Sequence, residues 1–329
     1  MSRLTAGGGP GPQLFHLSLR LASRALGGEW GAVPPAEDLP LPEELRVPAG
    51  AVTLACLRWP ARSPAVDPPR PPLLLLHGLN NNAWSWARVA GLLGGDREIV
   101  AVSLRGHGRS SSPRTGYSLA ETAEDLRLLL DALPGPGFAG PVHLAGHSWG
   151  GKVACQLAAS HPERVGSLTL ADPVPPWGLN PLLLQLPSLV KAAFRPERGP
   201  FPDRAALLAG RGRMVYLQRD DRLDRILWEE SFRPREDGSW VHVLGDEAFR
   251  EILVGALPTD LRAPLQAFSG PVLLLRPTFT LSFWPGEPER FREVFPGLRE
   301  VRLPGDHTFI HTNPLATARE LTRFLAGLP

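Results

Sequence analysis

The amino-acid sequence predicts an α/β fold: a mostly parallel central sheet flanked by helices, with a helical cap insertion between two of the central strands. Three observations predict it. Short, continuous apolar runs recur along the chain, each closed by turn residues and followed by a stretch with helical spacing. Such runs suit strands buried on both faces, the pattern of a parallel sheet between two layers of helices. The alternation then stops over residues 173–264, a segment rich in Pro, Arg, Leu and Trp that reads as several helices with irregular connectors.

In chain order, residues 1–42 read as an N-terminal extension. It opens on Gly7-Gly8-Gly9-Pro10-Gly11-Pro12, a flexible lead-in, and a short helix is expected over 13–26. His16, Arg20 and Arg24 interrupt the apolar run there and no small-residue cleavage site follows, so the segment reads as an amphipathic helix packed on the body. The first part of the core, 43–172, begins with two alternating strands at 45–47 and 52–57, expected to lie antiparallel at a sheet edge. Buried strands follow at 73–76, 99–104, 142–145 and 168–171, with helices at 84–93, 119–133 and 150–160. The cap occupies 173–264, over the carboxyl ends of the strands, where open α/β sheets bind their ligands. The second part of the core, 265–329, supplies strands at 272–275 and 300–303 and a closing helix over 314–325.

Bulk properties narrow the function. Hydrophobic residues make up 43% and charged residues 21%, enough apolar side chains for a large core. A formal net charge of +2 gives no electrostatic footprint for nucleic acid, and no such partner is expected. Cys56 and Cys155 match neither a disulfide framework nor metal-ligand spacing, so the sequence favours a reducing cytoplasm and implies no metal and no cofactor. No apolar run is long enough to span a bilayer. Nothing in the chain declares an oligomeric state.

The chemistry is concentrated at strand ends. Gly146-His147-Ser148-Trp149-Gly150 follows the strand at 142–145 and opens a helix, the context that the G-x-S-x-G nucleophile elbow requires. A serine at so sharp a turn needs small residues two positions before and after it. Its hydroxyl then stands above the sheet at a helix N-terminus, where negative charge is stabilised. Ser148 is therefore the candidate nucleophile. Leu73-Leu74-Leu75-Leu76-His77-Gly78-Leu79 places a His-Gly turn after another strand, and the amides of Leu79 and Trp149 could form an oxyanion hole. His77 reads as a brace for that loop. Ser103-Leu104-Arg105-Gly106-His107-Gly108 suits a tight crossing near the site, with Arg105 and His107 structural. Finally, Leu303-Pro304-Gly305-Asp306-His307 follows the last strand, so His307 can reach back to the serine as general base.

With these motifs in place, the sequence resembles the α/β-hydrolase superfamily from about residue 43 to the C-terminus. The branch it looks like is the capped one, with esterases, lactonases, carbon–carbon bond hydrolases, cofactor-free haloperoxidases and epoxide hydrolases. The tract Arg235-Glu236-Asp237-Gly238-Ser239-Trp240 is also similar to sequences in those caps. The resemblance implies a triad acid after the penultimate strand. Here that stretch reads Leu275-Arg276-Pro277-Thr278-Phe279-Thr280-Leu281-Ser282-Phe283 and holds no carboxylate. Asp172, after the strand at 168–171, is the replacement the resemblance offers; the other reading is that it opens the turn into Pro173. Asp306, Glu287 and Glu289 are poorer candidates.

Serine in the elbow argues against the branch members that use a carboxylate nucleophile. The expected function is hydrolysis of a small to medium apolar carboxylic ester or lactone through an acyl-enzyme. Carbon–carbon bond hydrolysis and perhydrolysis remain as alternatives, as does a non-catalytic ligand-binding protein on a hydrolase scaffold. Trp84, Trp177, Trp228 and Phe232 are the candidate substrate-binding aromatics, although packing inside the cap would explain some of them equally well.

Overall fold

Eight strands build one sheet whose central strands are apolar on both faces, and that requirement organises the rest of the chain. The computed structural model describes residues 33–62, 70–178, 198–211, 217, 221–280 and 286–328; the helix expected over 13–26 lies outside them. In chain order come β1 (Glu43–Ala49), β2 (Val52–Trp59), β3 (Leu73–Leu76), α1 (Ala87–Leu92), β4 (Ile99–Val102), α2 (Leu119–Ala132), β5 (Val142–His147), α3 (Trp149–Ser160) and β6 (Val165–Ala171). An insertion follows, with α4 (Arg204–Arg211), α5 (Arg222–Glu229), β7 (Phe232–Pro234), β8 (Trp240–His242) and α6 (Asp246–Glu251). The chain then closes through β9 (Val272–Pro277), α7 (Glu287–Val294), β10 (Arg299–Leu303), α8 (Phe309–Thr312) and α9 (Pro314–Ala326).

The sheet order is β1-β2-β4-β3-β5-β6-β9-β10. β1 pairs antiparallel with β2 and β2 with β4, and every other neighbour is parallel. Successive side chains of a strand face opposite ways, and β3 shows the consequence. Leu74 and Leu76 enter the core beneath α2 and α3, while Leu73 and Leu75 enter the core beneath α1 and α9. All four leucines are fully buried, each worth about 1.5–3 kcal/mol of transfer free energy.

Local chemistry sets the element ends. Ser118 caps α2 in a reciprocal pair with Glu121. The helix expected over 84–93 begins instead as a 3₁₀ turn, Ala83–Trp86, because the Asn82 side chain accepts from the Trp84 N–H and tightens the first turn. α7 was not anticipated, although Glu287, Pro288 and Glu289 form an orderly first turn.

The insertion departs from an all-helical cap. β7 and β8 form an antiparallel hairpin around Arg235-Glu236-Asp237-Gly238-Ser239. Gly238 takes φ 80°, and the Asp237 carboxylate accepts from the Ser239 N–H at 2.9 Å and its hydroxyl at 2.6 Å. An Asp-Gly turn between two short runs is a hairpin signal, masked here because the runs are only three residues each.

Lys152, on the elbow helix α3, ties the insertion down at both ends. Its fully buried ammonium donates to the carbonyls of Pro175 (3.3 Å), Leu257 (2.7 Å) and Thr259 (2.7 Å). Burial pushes this group down to about 8. Lys152→Met should therefore strand three buried carbonyls and lower stability by about 2–4 kcal/mol, seen as a lower urea midpoint. An unchanged midpoint would mean that those carbonyls find other donors.

Candidate active site

β5 runs straight into α3 through Ser148, whose backbone sits at φ 52°, ψ −116°. Non-glycine residues seldom occupy that region, and strain of this kind persists only where surroundings enforce it. The enforcement is visible. The Ser148 N–H donates to Ala171 O at 3.1 Å, and its carbonyl accepts from Gly151 N at 3.1 Å and Val174 N at 3.0 Å. A Cβ at residue 146 would meet Gly150 O at 2.3 Å, and one at residue 150 would meet Leu76 O at 2.4 Å. Both positions must therefore be glycine. Trp149 is the first residue of α3, so its N–H has no carbonyl a turn earlier to bond.

The loop after β3 lies against this turn. A Cβ on Gly78 would stand 3.0 Å from His147 Nδ1 and 3.3 Å from Ser148 Cβ, so the residue that precedes Leu79 lies against the elbow. His77 braces the loop. Its Nε2 accepts from Leu104 N at 3.0 Å, so the proton resides on Nδ1, which donates to Gly78 O at 2.8 Å. Burial first, and the neighbouring His107 second, hold the His77 imidazole well below the ordinary histidine value, and it stays neutral. Arg105 is structural too, in a two-pronged pair with Asp125 at 2.6 Å on each arm.

The loop after β10 folds back to the elbow. His147 Nε2 donates to the His307 carbonyl at 2.8 Å, and the two rings lie 4.8 Å apart. Residue 307 is thereby held next to the residue that precedes Ser148. His307 Nδ1 donates to Asp172 Oδ2 at 2.6 Å, leaving Nε2 as the nitrogen able to accept a proton. Its side chain keeps 43% of its surface exposed, whereas Asp172 is completely buried. Burial lowers the His307 pKa, but the hydrogen bond and charge of Asp172, aided by Asp306, outweigh it and the net shift is upward.

Asp172 is held as tightly as the serine. It takes φ 42°, and its N–H donates to Leu275 O at 2.8 Å. The Thr280 hydroxyl reaches both carboxylate oxygens, at 2.8 and 2.9 Å. The loop without a carboxylate thus contributes a hydroxyl to the carboxylate of the neighbouring strand. Sequence reasoning overlooked Thr280, and the only signal was that its loop lies where an acid was expected. Asp306 is occupied in its own turn, accepting from the Thr308 N–H and hydroxyl at 2.8 and 2.6 Å. Glu287 pairs with Arg290.

A family model described as alpha/beta hydrolase fold matches residues 71–314. This chain belongs to the α/β-hydrolase family. The hydrolase is 29% identical over 311 residues to a fluoroacetate dehalogenase from a Burkholderia species, covering 86% of this chain and 94% of that protein. It is 27% identical to a 2-(acetamidomethylene)succinate hydrolase from Mesorhizobium japonicum over 261 residues, covering 78% of this chain and 88% of that one. Among solved structures, an E-2-(acetamidomethylene)succinate hydrolase superimposes with a TM-score of 0.72 at 25% identity, covering 87% of this chain and 99% of the other. No helix among the hydrolase's described residues is long and apolar enough to cross a membrane.

The aromatic residues expected at the substrate pocket each pack against other rings or apolar side chains. Trp228 and Phe232 stack 4.6 Å apart with Phe201 against both, and the Trp228 Nε1–H donates to Leu207 O at 2.7 Å. They belong to one buried cluster with side chains of β3, α1 and α9. Trp177 packs edge-on to Phe291 at 4.8 Å and beneath Arg290 at 4.3 Å, on α7. Trp84 is buried in the α1–α9 core. By contrast Phe279 is 42% exposed, and its N–H donates to Gly305 O at 3.0 Å, bridging the Thr280 and His307 loops.

Proposed function

We propose that this hydrolase cleaves a small to medium apolar carboxylic ester or lactone through an acyl-enzyme on Ser148. The observation that carries the reading is the chain of contacts from Asp172 through His307 to His147, one residue before the serine. In this reading Ser148 Oγ attacks the substrate carbonyl carbon while His307 Nε2 takes its proton. The carbonyl oxygen becomes an oxyanion facing the amides of Leu79 and Trp149, at the positive end of α3. Collapse of the tetrahedral species breaks the bond to the leaving oxygen, which receives the proton from His307. Water then repeats the sequence on the acyl-enzyme and releases the acid.

Asp172 orients the imidazole and stabilises the imidazolium, the insertion serves as a cap, and Phe279 offers apolar surface at the rim. Likeness to a fluoroacetate dehalogenase does not bring that activity, because position 148 holds a hydroxyl where that mechanism needs a carboxylate.

A fluorophosphonate probe should add to Ser148, located by peptide mass, and the protein should hydrolyse p-nitrophenyl butyrate. Ligand binding without labelling or turnover would instead make it a binding protein on this scaffold. Thr280→Val should lower kcat about tenfold by leaving a carboxylate lone pair unsatisfied, with Thr280→Ser restoring it. Equal rates in all three forms would remove Thr280 from the account.

A further inference from the structure

One of the polar clusters outside the triad centres on Asn80. It lies where the insertion meets the loop bearing Leu79. Asn80, the next residue, is buried and takes φ 66°, left-handed backbone that asparagine tolerates better than most residues but that still needs support. Two insertion residues grip it. Arg198 donates to the Asn80 side-chain carbonyl at 2.7 Å. His242 meets the Asn80 main-chain carbonyl through Nε2 at 3.2 Å.

The tautomer of His242 follows from its other nitrogen. Nδ1 accepts from Leu244 N at 3.2 Å, so the proton sits on Nε2 and is donated to Asn80. Burial first, then Arg198 and His107, push His242 down to about 3, so this donor is unchanged at neutral pH.

The clamp is itself braced. The His242 N–H donates to Arg198 O at 3.2 Å, joining the two gripping residues through their main chains. The Arg198 guanidinium also bonds the Leu244 carbonyl, pairs with Asp246 at 3.4 Å and lies 4.5 Å over the Phe249 ring. Two residues further along, the Asn82 amide donates to Leu227 O at 2.9 Å and Ser231 Oγ at 3.0 Å, both in the insertion. The loop is thus held from above at Asn80 and Asn82 and from below by His77.

We infer that Arg198 and His242 are positioning residues for the oxyanion hole, fixing the direction of the Leu79 amide by locking Asn80 in its left-handed conformation. The insertion would then set the geometry of the transition-state site as well as covering it. The Leu79 N–H lies in the peptide plane between Gly78 and Leu79, one plane before the one that adjoins the locked residue, so a change of φ at Asn80 reaches it through the dihedrals of Leu79. This inference rests on the serine-hydrolase reading and deepens it.

The test compares kinetics on p-nitrophenyl butyrate with inhibition by a short alkylboronic acid, whose tetrahedral serine adduct occupies the oxyanion position. Loss of a whole donor costs on the order of 10²–10³ in rate, so misaiming one should cost about 10–100-fold. Arg198→Met is expected to lower kcat by that factor, weaken boronate binding in parallel and leave KM within about threefold. Adding Asn80→Gly, which adopts the left-handed conformation without a clamp, should recover part of the loss. A merely structural arginine would not be rescued in this way. If Arg198→Met does not fold, Arg198→Lys, which loses the planar fork, is read by the same two measurements. Unchanged kcat and boronate affinity, a loss confined to KM, or a loss that Asn80→Gly does not relieve would overturn the proposal. A wild-type protein that neither hydrolyses the ester nor takes the fluorophosphonate would sink the parent reading instead.

Discussion

Ser148→Ala is expected to reduce kcat by about 10⁶, leaving only the rate supported by binding and the oxyanion amides. The same substitution should abolish fluorophosphonate labelling. It should leave stability nearly unchanged, because alanine carries a Cβ just as serine does and meets the same strain at φ 52°, ψ −116°. Ser148→Gly separates the two effects. Glycine occupies that region without a Cβ clash, so this variant should be as inactive as the alanine form yet more stable by about 1 kcal/mol. Denaturant midpoints of the three forms read this directly. A glycine variant no more stable than alanine would mean that the elbow stores no strain. Retained esterase activity in either variant would remove Ser148 from the mechanism.

Asp172→Asn is the second large effect, with an expected loss in kcat of about 10⁴. The exchange is nearly isosteric, and asparagine accepts the positive φ of this position readily. Fold and melting behaviour should survive. What changes is the proton: an amide can donate to Nδ1 of His307, which moves the ring proton to Nε2, the nitrogen that must accept from the serine. The pH profile carries the same information. His307 works as a base only when neutral, and its pKa lies above the ordinary value, so kcat/KM of the wild type should rise through an acid limb centred above 6.5. Removing the Asp172 charge should move that limb downward. The linked stability has the opposite sign. With a folded pKa raised above the unfolded one, the pair stabilises fully below the unfolded pKa, and that contribution is lost as pH rises through the folded value. A limb that stays in place in the Asn variant would mean that Asp172 does not set the histidine.

Much of this molecule was legible before any coordinates. The sheet was readable because its central parallel strands are buried on both faces and so are largely apolar. Ser148 was readable because a turn that admits no Cβ on either side writes its glycines into the chain. The hairpin at 232–242 was not, since three-residue strands are too short to show alternation. Trp177, Trp228 and Phe232 look alike as large rings in a cap, and spacing along the chain does not show which neighbours each will meet.

By itself the sequence determined the family, the order of the strands along the chain and the positions of Ser148 and His307, since all of these rest on local spacing and local turn chemistry. Only the tertiary structure decided which carboxylate the histidine meets, that Thr280 holds it, and that Arg198 and His242 reach Asn80. Those contacts join residues more than a hundred positions apart. No periodicity spans such a distance, and direction and separation between side chains exist only once the strands have been laid side by side.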